Sequence, residues 1–138
     1  MKRIAPLFVY DDLSEPLAFW KDRFGLPVAV ELPDDPSKDP AGQPVGFVMF
    51  QSDTFTLMLQ SRASIENDAP ETLGASIAKD GTALYIEVED LAAYRAKAEG
   101  CEFVMKERDS FYGMREFGVR APGGVLVTFA QRISEMAG

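Results

Sequence analysis

Apolar and polar residues alternate along several short stretches of this chain, and in two others apolar residues recur at helical spacing, so strands and helices separate on pattern alone. Residues 4–10 read as a strand. After Asp11 and Asp12 comes a helical stretch over about 13–24, in which Leu17, Trp20 and Phe24 form one stripe. Asp12 or Ser14 is placed to cap that helix, Pro16 suits its first turn and Gly25 closes it. A short strand at about 28–32, an acidic proline-rich loop over 33–44, and strands at 45–51 and 54–60 joined by the tight turn Ser52-Asp53 complete a β-α-β-β-β order.

A polar connector over 61–80, with one helical turn expected after Pro70, leads into the same order again. Residues 82–88 read as a strand, Asp90 caps a helix over about 91–99 that Gly100 ends, and strands follow at 102–107, 114–120 and 125–130. The turn Ala121-Pro122-Gly123-Gly124 joins the last two. Locally, Tyr10-Asp11-Asp12-Leu13 opens the first helix and Val88-Glu89-Asp90-Leu91 the second. The expectation is one α+β domain over 1–138: module one about 1–60, connector 61–80, module two about 81–131 and a short tail. Each half would leave a sheet face uncovered by itself, so the modules are expected to form a curved mixed sheet around a cavity.

Composition narrows the function. With 46% apolar residues in 138, there is enough for a sizeable core, and disordered or fibrous classes drop out. The longest apolar runs fall far short of the roughly 20 residues of a bilayer span, and Met1-Lys2-Arg3-Ile4 leads straight into a strand pattern without a signal-type cleavage site; a soluble, cytoplasmic protein is expected. The net charge of −8 and the lack of a basic stripe disfavour nucleic acid and favour a neutral or cationic ligand. The lone Cys101, read as a small strand residue, excludes an internal disulfide or a multi-thiolate zinc site. The absence of histidine removes the commonest general base and metal ligand, and with them Ser-His-Asp and Cys-His machinery.

The run from Phe111 through Tyr112-Gly113-Met114-Arg115-Glu116-Phe117 to Ala121-Pro122-Gly123-Gly124 resembles the closing segment of glyoxalase/bleomycin-resistance proteins, an aromatic-Gly-x-Arg-Glu-Phe strand before Asp-Pro-x-Gly. The helix from Leu17 to Gly25 is similar to that family's first helix, and the strand order extends the resemblance over nearly the whole chain. Ala121 replaces the usual Asp, which weakens a turn-capping bond. In metal-dependent members of this vicinal oxygen chelate superfamily, the ligands lie on the first and last strands of each module. The resemblance places Ala5, Thr56, Ala83 and Thr128 there. Alanine has no lone pair and neutral hydroxyls bind Zn²⁺, Ni²⁺ or Fe²⁺ poorly, so neither metal nor other cofactor is expected. The resemblance thus points to the bleomycin-resistance branch, which binds and sequesters a drug, and away from metal-dependent glyoxalase, dioxygenase or fosfomycin-opening chemistry. It also implies a homodimer.

Strand alternation nominates the binding face. Ala83, Tyr85 and Glu87 on one strand, Thr56, Met58 and Gln60 on a second, Leu126, Thr128 and Ala130 on a third, and Ala5, Leu7 and Val9 on the first make an apolar wall with few polar groups. Glu87 is the one weak catalytic candidate, because a carboxylate on an apolar face must be solvated, paired or used; the other reading is a salt bridge to an arginine such as Arg115, itself a binding candidate, or simple exposure at the rim. Tyr112 matches the position where the family stacks flat ligands, and Phe50, Met58 and Tyr85 are further candidates for the lining. Asp11-Asp12 is read as capping, and the acidic loop from Glu31 to Asp39, which could attract a cation, as solvated. Three functional readings follow: a protein that binds a small hydrophobic or cationic aromatic compound through Tyr85, Glu87 and Tyr112, a metal-free lyase or isomerase with Glu87 or a tyrosine as base, or a ligand-free interaction or structural module whose cavity is filled by its own side chains.

Overall fold

The computed structural model describes residues 5–68, 70, 83–110 and 113–134. The chain forms two compact units, Met1–Lys79 and Asp80–Gly138. In the first, β1 (Leu7–Tyr10), β2 (Val28–Pro33), β3 (Val45–Gln51) and β4 (Thr56–Ser61) form an open four-stranded sheet in the order β1-β4-β3-β2. In the second, β5 (Ala83–Glu87), β6 (Phe103–Asp109), β7 (Met114–Arg120) and β8 (Leu126–Arg132) repeat it as β5-β8-β7-β6. In each sheet the first strand runs parallel to the last and the other pairings are antiparallel, so the expected α+β, twice-repeated β-α-β-β-β order holds.

The first helix departs from the expected α-helix: only Ser14–Leu17 (α1) is α-helical, and Ala18–Arg23 continues it as a π-helix. The Phe24 N–H reaches back five residues to the Phe19 carbonyl at 3.2 Å, and Gly25, at φ 69°, ends the turn. The wider turn brings residues five apart onto one side, so Phe19 joins the predicted stripe, its ring 4.8 Å from Trp20 and 5.0 Å from Phe24. Asp12 accepts from the Ser14 N–H at 2.8 Å, and Asp11 pairs with Arg62 at 2.7 Å on the surface, so neither carboxylate is free for acid–base work.

A second departure follows β4. Part of the presumed connector is a helix, α2 (Arg62–Asp68), started by Ser61, whose Oγ accepts from the Ser64 N–H at 3.0 Å. In the second unit α3 (Leu91–Lys97) is capped as expected by Asp90, which accepts from the Ala93 N–H at 3.2 Å. Tyr94 on α3 packs 5.3 Å from Phe129, which lies 5.4 Å from Phe117, so one face of this sheet is an aromatic core beneath the helix. The 121–124 turn closes without the missing Asp: the Ala121 N–H reaches the Val125 carbonyl at 2.7 Å and the Gly124 N–H reaches the Ala121 carbonyl at 3.2 Å.

Tyr10 ends β1 with its phenol pushed up to about 12, chiefly by burial and further by the Glu15 charge. Since the unfolded phenol ionises near 10, the folded form holds its proton longer, and the stability it contributes is complete below pH 10 and lost as pH rises toward 12. Tyr10→Phe is expected to flatten that alkaline decline in urea-unfolding curves taken at successive pH values.

Candidate functional site

Register turns strand alternation into definite rows. In the first unit Val9, Gln60, Phe47 and Leu32 lie side by side across β1, β4, β3 and β2, and Leu7, Met58, Met49 and Val30 form the next row on the same face. This face is apolar and open: Leu7, Val30 and Leu32 are exposed, while Met49 and Met58 are half-buried. Thr56, paired with Gln51, continues it at one end. At the other end is a cavity of about 510 Å³. Its floor is Leu32, Phe47 and Gln60, and its walls are Asp35, Pro36 and Ser37 of the β2–β3 loop and Ser64, Asn67 and Asp68 of α2.

The β2–β3 loop, expected to be merely solvated, is folded around Gln43. The Gln43 Oε1 accepts from the Asp35 N–H at 2.8 Å, and its Nε2 donates to the Asp35 and Asp39 carbonyls at 3.1 and 2.8 Å. The Asp35 carboxylate accepts from the Ser37 N–H and hydroxyl at 3.1 and 2.6 Å, bonds that hold its pKa below the usual carboxylate range. Ties to the helix come from Asp34, whose Oδ1 accepts from the Ser61 hydroxyl at 2.6 Å and whose carbonyl accepts from the Asn67 amide at 3.2 Å. Gly46 opposes Asp34 so closely that a Cβ would sit 2.5 Å from the Asp34 Cα. The cavity walls are therefore preformed by polar bonds that sequence reading cannot see.

In the second unit the corresponding row is Glu87, Ala130, Glu116 and Arg108 across β5, β8, β7 and β6, with Tyr85, Thr128, Gly118 and Met105 beside it. The same place in the fold that is apolar in one unit is charged in the other. Glu116 is 1% exposed. Its Oε1 accepts from Arg108 Nε and Nη2 at 3.0 and 2.7 Å, and its Oε2 accepts from the Tyr85 hydroxyl at 2.7 Å. A carboxylate so desolvated needs such partners. The outcome is a buried anion that holds an exposed tyrosine ring and a guanidinium in fixed orientations on an open face.

Among the nominated residues, Thr56, Met58 and Gln60 share the open face of the first unit, and Tyr85, Glu87 and Thr128 share that of the second. Two nominations are corrected. Phe50 pairs with Leu57 on the opposite face, with Val48 and Leu59, and is wholly buried. Arg115 points away from the Glu87 row, on the face that carries Phe117, and holds Asp109 at 2.8 and 3.2 Å. Each of that pair stabilises the other's charge, raising the Arg115 pKa and lowering that of Asp109. Glu87 is solvent-exposed, which discharges the argument for its desolvation. Tyr112 lies outside the described residues. Sequence reading missed Arg108 and the role of Glu116, although alternation along β7 places Glu116 on the face of Gly118 and its motif position was plain.

The register also revises one of the four positions where the superfamily's metal ligands lie. Leu7 pairs with Met58 just as Tyr85 pairs with Thr128, each three residues before the helix-opening motif, so the counterpart of Thr128 is Met58 and that of Thr56 is Leu126. The set becomes Ala5, Met58, Ala83 and Thr128. A thioether, a hydroxyl and two methyl groups provide no anionic or imidazole donor for a hard or borderline divalent ion, so these residues do not fit the metal. Among the described residues no group of three or more Asp, Glu, Cys or His could hold one elsewhere.

No curated protein matches the chain. Solved structures share its fold. TioX from Micromonospora sp. ML1 superposes with a TM-score of 0.71 at 16% identity, over 96% of this chain and 100% of that one. Lactoylglutathione lyase from Agrobacterium tumefaciens gives 0.63 at 18% identity, over 95% and 94%. A bleomycin-binding protein complexed with bleomycin gives 0.58 at 13% identity, over 96% and 99%. Residues 3–129 match the family model, and with the twice-repeated open sheet this chain belongs to the Glyoxalase/Bleomycin resistance protein/Dioxygenase superfamily.

Proposed function

We propose that this protein binds and sequesters a small apolar or aromatic molecule without a metal ion, after the manner of the bleomycin-resistance proteins. The observation that carries the reading is the pairing of two facts: the four strand positions lack competent donors, while the open sheet face of the first unit retains apolar rows and a preformed cavity of about 510 Å³. The fold shared with a bleomycin-binding protein agrees with it. Tyr85, held by Glu116, offers a ring of fixed orientation for a flat ligand, and Met58 and Phe47 offer adaptable apolar contact. On this reading the two units act as one domain, the protein works as a homodimer in the cytoplasm, and the described residues include no helix long and apolar enough to cross a membrane.

The test is a thermal-shift screen of chelator-treated protein against bleomycin-type glycopeptides, aromatic amines and neutral aromatic compounds. A ligand present at about 100 times its Kd is expected to raise Tm by roughly 5–10 °C. Stabilisation only by Zn²⁺ or Ni²⁺, accompanied by lyase activity, overturns the reading. Steady turnover of a bound compound without metal replaces it with a metal-free lyase or isomerase.

A further inference from the structure

The cavity of the first unit shows a chemical bias that its volume does not explain. Its floor presents Leu32 and Phe47 with the amide of Gln60, and its walls present the carboxylates of Asp35 and Asp68; neither arginine nor lysine is among its lining residues. The Gln60 amide nitrogen donates to the Ser64 hydroxyl at 3.1 Å, which fixes the orientation of the amide, whose oxygen can only accept. The polar surface is therefore weighted towards acceptors around an apolar base.

A second observation shows what such walls accept. The Lys38 ammonium stands 3.7 Å from Asp35 Oδ2, and its side chain is 77% exposed while that of Asp35 is 21% exposed. An ion pair with so mobile a partner is weak and exchangeable. The carboxylate, by contrast, is fixed by Ser37 and the Gln43 network, so its position does not depend on the lysine. The protein's own side chain thus places an ammonium beside the Asp35 carboxylate, from outside the cavity lining, in a manner that another ammonium can displace.

We propose that this cavity takes an organic ammonium compound, its cation between the Asp35 and Asp68 walls and the Gln60 amide oxygen, its flat apolar body on Phe47 and Leu32. The cavity, with its apolar base, distinguishes this from a mere acidic surface, and the absence of a cluster able to hold a metal ion among the described residues separates it from a cation site. This rests on the small-molecule reading and names the ligand class of one part of the same molecule.

Three probes with one ring system separate the charge from the body: tryptamine, its neutral alcohol analogue tryptophol, and indole-3-propionate. Each is titrated into the ¹⁵N-labelled full chain, with binding followed by amide shifts. Tryptamine is expected to perturb Leu32, Phe47, Gln60 and Asn67 and to bind at least about fivefold more tightly than tryptophol, with indole-3-propionate weakest. Asp68→Asn should weaken tryptamine about threefold or more and leave tryptophol unchanged, whereas Lys38→Gln, which removes the internal competitor, should strengthen tryptamine. Equal binding of the three probes, displacement of tryptamine by millimolar Ca²⁺ at an unchanged apolar shift pattern, or perturbations confined to residues outside the cavity each overturn the inference. If a compound from the thermal-shift screen binds at the Tyr85 face while tryptamine leaves the cavity untouched, the sequestering function stands and this site falls.

Discussion

Replacing Arg108 with methionine lowers the unfolding free energy by about 2–3 kcal/mol, because the Glu116 carboxylate loses two of its charge-assisted bonds while it stays desolvated. The figure lies below the roughly 3–5 kcal/mol of fully buried pairs, since the Arg108 side chain is 56% exposed and water enters where the guanidinium was. Adding Glu116→Leu to Arg108→Met should recover most of the loss, because replacing both partners removes the uncompensated charge along with the pair. Urea unfolding of the two variants checks both statements: a single-variant loss below about 0.5 kcal/mol, or a double variant no better than the single, contradicts the account of Glu116.

Gly113→Ala is the second large effect, with an expected loss of about 2–4 kcal/mol. Gly113 has φ 81°, and a Cβ there would lie 2.4 Å from the Ser134 carbonyl oxygen and 3.0 Å from its hydroxyl. The obstruction is backbone, so rotamer change gives no relief. Nor can the segments part freely, since the Gly113 carbonyl accepts from the Ile133 and Ser134 N–H groups at 2.9 and 3.3 Å. Gly124→Ala is the matched control: it shares φ 81° but has nothing within 4 Å of the added methyl, so it should cost only the left-handed conformation, about 1–2 kcal/mol. Equal losses in the two variants would show that the contact with Ser134 contributes nothing.

Much of the fold was legible in the sequence for physical reasons that can be named. Strands β3 and β7 fall on the stretches read from alternation, and Asp90 caps α3 as its chemistry requires, while the helix ends at Lys97 and Gly100, at φ 91°, lies in the turn after it. The order repeats because the same helix-opening chemistry occurs twice. Less legible was which face a residue takes when both faces are apolar. Phe50 and Met49 are adjacent and equally hydrophobic, and only the pairing of β3 with β4 shows that Phe50 is the buried one. The two-residue misplacement at Thr56 has a similar origin, because the β3–β4 turn has no glycine-rich landmark like that before β8 and the counting lacked an anchor.

The site was harder to read than the fold. Lys106, Glu107, Arg108 and Asp109 break alternation along β6, and irregular register between Met105 and Arg108 decides which of these meets Glu116. Attention fell on Glu87 because it stood on a strand whose face was assignable, while the desolvated carboxylate was two strands away in the same row. The cavity walls were invisible for another reason: Gln43, Asp34 and Ser61 act through bonds spanning up to 33 residues, and no local spacing encodes such ties.

Equilibrium dialysis of the purified chain against Zn²⁺ and Ni²⁺, followed by elemental analysis, bears most directly on a binding function that needs no Lewis acid. Far less than one ion per chain should be retained, and Thr128→Ala should change nothing. One tightly held ion per chain, lost when Thr128 becomes alanine, would contradict the account.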